Sequence, residues 1–365
     1  MNRLLVVVGA RPNFVKVAPV LHALRGSPLE VTLLHTGQHY DHALYGSFLE
    51  QLDMPSPDFH LGVGSGTHAE QTAGVMIGCE RVLLEHGHEI VLVPGDVNSA
   101  LGAALAAVKL GVSVIHLESG LRSGDWTMPE EVNRVLTDRL SRLLLCHSQE
   151  AISNLAIEGI AGEHVQLVGN TMIDSLLRLH DPERAHEVVA AHGLEPDDYL
   201  LVTLHRPATV DDAEQLATTM EVLGELAEHA TIVFPVHPRT RKHLSQARLP
   251  CDRIRLLDPL GYLDFIALQS LARLVITDSG GVQEETSALG VPCVTYRTTT
   301  ERPVTVTLGT NELVGLDPVA LLAACRRRLA EPSQEARPPI PLWDGAAGER
   351  AASAIQAFSA SSPSR

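Results

Sequence analysis

The chain has 365 residues, of which 45% are hydrophobic and 20% charged, a balance that excludes a disordered protein. Lys and Arg number 28 against 44 Asp and Glu, and the net charge of −16 argues against a broad basic face for nucleic acid. The five cysteines include no CxxC pair, so we expect neither a zinc site nor a disulfide framework. No apolar run approaches the roughly 20 residues of a membrane span, and we expect a cytoplasmic protein.

Short aliphatic runs recur along the chain, each followed by Gly or a polar turn and then by a helical pattern. Continuous apolar runs of this length are typical of strands buried on both faces of a parallel sheet. In the first half they lie at Leu4–Val8, Val31–His35, Ile90–Val93, Val114–Leu117 and Leu143–His147. In the second half they lie at Tyr199–Leu204, Ile232–Val236, Ile254–Leu257, Leu274–Thr277 and Cys293–Tyr296. The pattern predicts an α/β protein with two Rossmann-like, doubly wound parallel-sheet domains facing a central cleft.

We expect the first domain to span residues 1–170, the second to span 171–345, and a helix with a frayed tail to span 346–365. The first boundary follows the fifth apolar run, and a Pro-rich stretch at Glu331–Pro341 precedes the last segment. Ligands of doubly wound sheets bind at the carboxyl ends of the strands. Polar residues that directly follow each apolar run are therefore the candidate site residues.

Two cations follow the first apolar run, in the segment Gly9–Lys16 (GARPNFVK). Arg11 and Lys16 lie near the start of a predicted helix, where the backbone dipole favours an anion. The segment is neither a Walker loop nor a GxGxxG motif. An ordinary strand–helix turn with two solvated cations explains the spacing equally well.

Carboxylates follow the next two runs of the first half. Asp96 comes after Ile90–Val93, Glu118 comes after Val114–Leu117, and the pair Glu130 and Glu131 opens a later helix. Carboxylates crowded into one site raise one another's pKa, which makes a usable acid or base near neutral pH. Each alone reads more simply as a helix cap or a loop carboxylate, but their joint occurrence favours acid/base chemistry.

Polar residues also end the strands of the second half. His205 and Arg206 follow one run directly, and His237 follows another. The most specific segment is Thr277–Glu285 (TDSGGVQEE), where Ser279, Gly280 and Gly281 lead from a strand into a helix and suit close approach of a phosphate. Glu285, about one turn later, is suited to holding a sugar diol, although enrichment of the first helical turn in Glu is the simpler alternative. Arg302 follows the next strand and could form a fork onto a diphosphate.

These segments resemble one family closely and in the same order. GARPNFVK resembles its GTRPEAIK, HLESGLRSGD resembles HVEAGLRTGD, PEEVNR matches PEExNR, and the segments ITDSGGVQEETSALGVP and RTTTERPVTVTLGTNELVG are near matches. The chain is thus similar to non-hydrolysing UDP-N-acetylglucosamine 2-epimerases over about residues 3–316. The resemblance implies a glycosyltransferase-B type fold whose C-terminal helix crosses back onto the first domain.

The resemblance also implies a reaction, the reversible C2 epimerisation of UDP-N-acetylglucosamine to UDP-N-acetylmannosamine, which supplies cell-surface polysaccharides. UDP leaves by anti elimination, a 2-acetamidoglucal forms, and UDP adds back. No metal or other cofactor is implied, and neither nucleic acid nor membrane is an expected partner. The protein is expected to form a homodimer. The implied catalytic residues are Asp96, Glu118, Glu130, Glu131 and His205. The implied substrate-binding residues are Arg11, Lys16, Arg206, His237, Phe265, Ser279, Gly280, Gly281, Glu285 and Arg302.

Two departures from the family pattern carry expectations of their own. The loop after Glu118 is shorter by about two residues, which favours Glu130 over Glu131 as the catalytic carboxylate. Where most bacterial members read HRREN, this chain has Pro207 after Arg206, and the companion segment 38–41 reads QHYD. We therefore expect no activation by a second UDP-sugar molecule.

Three alternatives stay open on the sequence. A hydrolysing 2-epimerase would release UDP and free N-acetylmannosamine, and a glycosyltransferase would share the fold but need a sugar acceptor. A catalytically inactive UDP-sugar-binding module would use the second half equally well. That module would have no need of Asp96, Glu118 and Glu130 together.

Overall fold

A computed structural model describes residues 2–37, 42–244, 251–331 and 339–361. The chain divides into two compact units: unit 1 comprises Met1–Arg178 and Pro341–Arg365, and unit 2 comprises Leu179–Ile340. In the described ranges, no helix has both the length and the apolar character needed to cross a membrane.

Unit 1 is built on one seven-stranded sheet in which every neighbouring pair is parallel. Its strands are β1 (Arg3–Val8), β2 (Glu30–His35), β3 (Phe59–His60), β4 (Ile90–Pro94), β5 (Ser113–Ser119), β6 (Leu143–Cys146) and β7 (Val165–Leu167), in the order β3-β2-β1-β4-β5-β6-β7. The helices that connect them are α1 (Arg11–Ala23), α2 (His42–Gln51), α3 (His68–His86), α4 (Asn98–Lys109), α5 (Pro129–Leu140), α6 (Gln149–Ile157) and α7 (Thr171–Leu179). The central strands are buried on both faces, which is why they read as unbroken apolar runs.

Unit 2 repeats this plan with a six-stranded parallel sheet. Its strands are β8 (Tyr199–Thr203), β9 (Thr231–Pro235), β10 (Ile254–Leu257), β11 (Leu274–Thr277), β12 (Cys293–Thr295) and β13 (Asn311–Leu313), in the order β10-β9-β8-β11-β12-β13. The helices are α8 (Pro182–Ala191), α9 (Pro207–Val210), α10 (Ala213–Leu226), α11 (Pro238–Leu244), α12 (Tyr262–Ser270), α13 (Gly280–Leu289), α14 (Val304–Thr307) and α15 (Pro318–Ala330).

The last helix, α16 (Ala347–Ser361), belongs to unit 1 and packs against α1. Gly348 allows the close approach, because a Cβ there would come within 2.6 Å of the Pro19 backbone. The buried carboxylate of Asp174 accepts a hydrogen bond of 2.7 Å from the Gly348 amide at the start of α16. Burial raises the pKa of this carboxyl, although the amides of Gly348 and Ala347 oppose the shift.

The predicted fold class, two doubly wound parallel-sheet α/β domains, is confirmed by these two sheets. Both sheets change direction beside their first strand in the chain, since β1 lies between β2 and β4 and β8 lies between β9 and β11. Ligands of such sheets bind at the carboxyl ends of the two strands that flank this point. The sheet orders therefore direct attention to the residues that follow β1 and β4 in unit 1, and β8 and β11 in unit 2.

Candidate active site

The switch point of unit 1 holds a buried ion pair between Lys16 and Glu118. The Lys16 ammonium contacts Glu118 Oε2, and the two side chains are 9% and 7% exposed. Gly95, directly after β4, makes room for this pair, because a Cβ there would lie 2.9 Å from Lys16 Nζ and 3.1 Å from Glu118 Oε2. The fold thus brings together two predicted site residues that are 102 positions apart in sequence.

Arg134, a residue that the sequence analysis quoted but gave no role, holds Asp96. Its Nη2 and Nε lie 2.7 and 3.0 Å from Asp96 Oδ2, and its Nη1 lies 2.6 Å from Glu131 Oε2. The spacing PEExNR contained the signal, since residues three and four apart share one face of a helix. One buried guanidinium therefore ties a strand-end carboxylate to α5.

The neighbouring acidic pair is split into two different environments. Glu131 is 2% exposed and accepts hydrogen bonds from Ser123 N at 2.9 Å, Ser123 Oγ at 3.0 Å and Gly124 N at 2.9 Å. Burial by itself would raise the pKa of Glu131, but these amides and Arg134 hold it below its ordinary value. Glu131 thereby fixes the loop that leads into α5.

Glu130 is half-buried at the start of α5, one helical turn before Arg134. In the ranges that the structure describes, its carboxylate has no hydrogen-bond or ion-pair partner. The preference for Glu130 drawn from the loop length stays a prediction.

Arg11 is exposed at the first position of α1, and its guanidinium lies 4.6 Å from the ring centroid of Phe48. Asn13, which the sequence analysis missed, closes the turn before it by accepting hydrogen bonds of 3.0 Å from the amides of Gly9 and Ala10. Its Nδ2 donates to the Pro94 carbonyl at 3.3 Å, which links the ends of β1 and β4.

At the switch point of unit 2, His205 is held by Asp278, a second residue without a predicted role. Asp278 is fully buried; its Oδ2 accepts hydrogen bonds of 2.9 Å from the amides of His205 and Arg206, and its Oδ1 lies 3.1 Å from His205 Nδ1. Burial would raise the pKa of Asp278, yet the His205 and Arg206 contacts hold it below its ordinary value. The exposed His237 ring is 5.8 Å from the His205 ring, centroid to centroid.

The predicted phosphate cradle lies at the beginning of α13, where Ser279 is the N-terminal cap and Gly280 and Gly281 form the first turn. The absence of a side chain at Gly280 leaves room for the ends of two side chains, since a Cβ would lie 2.5 Å from Arg302 Nη1 and 2.7 Å from Glu301 Oε1. Arg302 is buried, with Nε 2.9 Å from Glu284 Oε1 and Nη1 against Glu301. The structure thus places this predicted arginine beside the cradle as part of a buried ion-pair network.

Arg206 extends this network, because its Nη2 lies 3.9 Å from Glu301 Oε1. Arg297 completes it with a 2.7 Å contact from Nη2 to Glu301 Oε2. Three guanidinium groups and the two carboxylates Glu284 and Glu301 thus form one network beside the start of α13, where arginine donors and helix amides suit an anion.

One turn into α13, Glu285 is 5% exposed and accepts a hydrogen bond of 2.9 Å from Tyr262 Oη. Burial, reinforced by the charge of Glu284, raises the pKa of Glu285 to about 7. The half-buried Phe265, on α12, packs against the apolar cluster of β8, β11 and β12.

Some predictions have no structural counterpart to examine. Segment 38–41, which carries one of the departures from the family pattern, lies outside the described residues. Within the part of the chain that is described, no group of three His, Cys, Asp or Glu side chains is arranged to hold a metal ion.

Known proteins resemble this chain in sequence along nearly its whole length. The family model described as UDP-N-acetylglucosamine 2-epimerase matches residues 22–356. The UDP-N-acetylglucosamine 2-epimerase of Methanocaldococcus jannaschii is 41% identical over 358 residues, covering 95% of this chain and 97% of that protein. The UDP-2,3-diacetamido-2,3-dideoxy-D-glucuronate 2-epimerase of Pseudomonas aeruginosa is 40% identical over 338 residues, covering 91% and 94%.

A solved structure extends the likeness to three dimensions. The M. jannaschii enzyme in complex with UDP-GlcNAc and UDP superimposes with a TM-score of 0.88 at 39% identity, covering 97% of this chain and 99% of that one. The two-unit α/β fold is therefore shared with an enzyme of this type. The chain belongs to the UDP-N-acetylglucosamine 2-epimerase family.

Proposed function

We propose that the protein catalyses the reversible C2 epimerisation of UDP-N-acetylglucosamine to UDP-N-acetylmannosamine. The observation that carries the proposal is the set of three carboxylates of unit 1, Asp96, Glu118 and Glu130, which a UDP-sugar-binding module would not need. Asp96 and Glu118 are each held by a buried cation, and Glu130 has no partner among the described residues. The relative from M. jannaschii whose structure was solved with UDP-GlcNAc and UDP is named as a UDP-GlcNAc 2-epimerase.

The chemistry explains why several carboxylates are required. The C2 proton is not next to a carbonyl, so it becomes acidic only as the C1–O bond to UDP breaks and positive charge develops at C1. A carboxylate removes the proton while UDP leaves with the bonding electrons, and a 2-acetamidoglucal remains. A second acid/base group then delivers a proton to the opposite face of C2 as UDP returns to C1. Each well-placed group of this kind contributes on the order of 10²–10⁴-fold in rate.

Within this proposal, unit 2 binds and stabilises the departing UDP. Ser279, Gly280 and the start of α13 receive phosphate oxygens, and Glu285 accepts hydrogen bonds from the ribose hydroxyls. His205, whose Nδ1 faces Asp278, is oriented to present Nε2 to the leaving diphosphate. Arg11, Lys16, Arg206, His237, Phe265, Gly281 and Arg302 stay predicted substrate-binding residues, and Glu131 is assigned the structural task of holding the loop before α5.

A second candidate substrate follows from the P. aeruginosa relative, since the two identities, 40% and 41%, are nearly equal. A UDP-2,3-diacetamido-2,3-dideoxy-D-glucuronate substrate would undergo the same elimination at C1 and C2. The homodimer, the cytoplasmic location and the polysaccharide pathway stay predictions from the sequence.

The test is incubation of the protein with each UDP-sugar in D₂O. Epimerisation predicts deuterium at C2 in both epimers without net accumulation of UDP, whereas a hydrolysing enzyme would accumulate UDP and free N-acetylmannosamine. Asp96→Asn and Glu118→Gln should abolish turnover and leave the affinity for UDP within about threefold of the parent protein. The proposal would be overturned if neither substrate gave deuterium exchange or the epimer.

A further inference from the structure

Glu118 has a backbone conformation that a side chain rarely adopts by itself. Its φ is +68°, in the left-handed region that favours glycine. The pairing of β5 with β6 shifts register between Leu117 and Ser119, so the strand is distorted around this residue. A conformation of this kind persists only where the surrounding structure holds it in place.

A fully buried pair, His116 and Asp138, holds the backbone on both sides of Glu118. His116 Nε2 lies 2.9 Å from the carbonyl oxygen of Gly95, and His116 Nδ1 lies 2.6 Å from Asp138 Oδ1. Asp138 Oδ2 accepts hydrogen bonds of 3.1 Å from the Gly120 amide and 2.8 Å from Arg122 Nη1. A carbonyl and a carboxylate both accept, so each imidazole nitrogen of His116 faces an acceptor.

The two contact points are the residues that flank the proposed acid/base groups. Gly95 directly precedes Asp96, and its amide donates to the Leu117 carbonyl at 2.9 Å. Gly120 follows Glu118 by two residues. Neither His116 nor Asp138 is exposed, so neither reaches a substrate.

We propose that His116 and Asp138 are positioning residues that hold Asp96 and Glu118 in their reactive placement through the Gly95 carbonyl and the Gly120 amide. The inference rests on the proposed function for its kinetic readout. A misplacement of about 1 Å at a reacting group costs on the order of 10²-fold in rate. Loss of the pair should therefore lower kcat without weakening the binding of UDP, which is assigned to unit 2.

Asp138→Asn separates positioning by hydrogen bonds from a requirement for charge. The asparagine oxygen can still accept from the Gly120 amide and Arg122, while its amide nitrogen can donate to His116 Nδ1. His116 Nε2 can still donate to the Gly95 carbonyl. Every hydrogen bond of the network is retained, so positioning predicts that this variant keeps at least about a third of kcat.

The experiment compares kcat, the Kd for UDP and the melting temperature among four variants. His116→Phe removes the bond to Gly95, and Asp138→Ala removes the bond to Gly120; both should lower kcat by at least about tenfold with UDP affinity within about threefold. Asp138→Asn tests rescue. Asp174→Ala is the matched control, because Asp174 is a buried carboxylate of the same unit that binds the start of α16 instead of the strand ends. It should lose stability and keep kcat.

Three kinetic results would overturn the inference: kcat within threefold of the parent in His116→Phe and Asp138→Ala, an equal loss in Asp174→Ala, or a loss above tenfold in Asp138→Asn. The result for Asp138→Asn tests the inference even if His116→Phe and Asp138→Ala do not fold. Crystal structures of the variants give a readout independent of turnover. The inference expects Glu118 to leave the left-handed region in Asp138→Ala and to keep it in Asp138→Asn. An unchanged backbone in both variants would refute positioning, whether or not the parent protein is active. Inactivity of the parent protein would refute only the proposed function.

Discussion

Replacing Gly95 by alanine tests how closely the Lys16–Glu118 pair is packed. Gly95 has φ +63°, and an added Cβ would lie 2.9 Å from Lys16 Nζ and 3.1 Å from Glu118 Oε2. Ordinary non-bonded contacts of a carbon atom begin near 3.5 Å, so the ion pair has to move by about 0.5 Å. The left-handed backbone itself costs about 1 kcal/mol for a residue with a Cβ.

We expect Gly95→Ala to lower kcat by about ten- to a hundredfold. A displacement of 0.5 Å is about half of one that costs 10²-fold, and the displaced carboxylate contributes on the order of 10²–10⁴-fold. This loss corresponds to about 1.4–2.7 kcal/mol in the activation barrier. The affinity for UDP should fall by less than kcat, because the predicted cradle of Ser279 and Gly280 in unit 2 is untouched and Lys16 is the one predicted substrate-binding residue that the added Cβ meets.

Gly87→Ala is the matched control. Gly87 ends α3 with φ +67°, and no atom of the described chain would lie within 4 Å of its added Cβ. It therefore carries the same backbone strain without disturbing the ion pair. Initial rates in both directions, UDP titrations and thermal unfolding of the two variants give the comparison. If Gly95→Ala turned over as fast as Gly87→Ala, the placement of Glu118 would not depend on this contact and our reasoning would be wrong.

The remaining predictions concern the acidic pair of α5, the ribose carboxylate and the regulatory position. Glu130→Gln should lower kcat by at least about 10²-fold with an unchanged melting temperature, whereas Glu131→Gln should mainly lower the melting temperature; the reverse pattern would exchange their roles. Burial raises the pKa of Glu285 from 4.5 to about 7, so the folded protein holds this proton more tightly than the unfolded chain. Stability relative to Glu285→Gln should therefore be greatest below pH 4.5 and fall by up to about 3 kcal/mol as the pH rises through 7, and a pH-independent difference in thermal unfolding would contradict this. Because Pro207 cannot donate a hydrogen bond, UDP-N-acetylmannosamine alone should react without a lag, and a requirement for added UDP-N-acetylglucosamine would show a second site.

The sequence by itself determined the fold class and the positions of the long strands. Buried parallel strands must be apolar on both faces, so runs such as Leu4–Val8 and Leu274–Thr277 stand out without any structure. The edge strands β3, β7 and β13 escaped notice, because two or three partly buried residues leave no periodic signal. The family motifs were equally legible, since each is a local run of residues at a strand end.

Only the tertiary structure decided which of these residues act on one another. Sheet order places β8 beside β11, and this brings Asp278 to His205 across 73 positions of sequence. The adjacent Glu130 and Glu131 look alike in sequence, yet only Glu131 is bound by the loop amides and Arg134, while Glu130 has no partner in the part of the chain that the structure describes. Periodicity reports which face of an element is buried, but hydrogen bonds between distant segments depend on which strands become neighbours. The packing of the whole sheet decides which strands become neighbours. The buried surroundings of Glu118 result from that strand order.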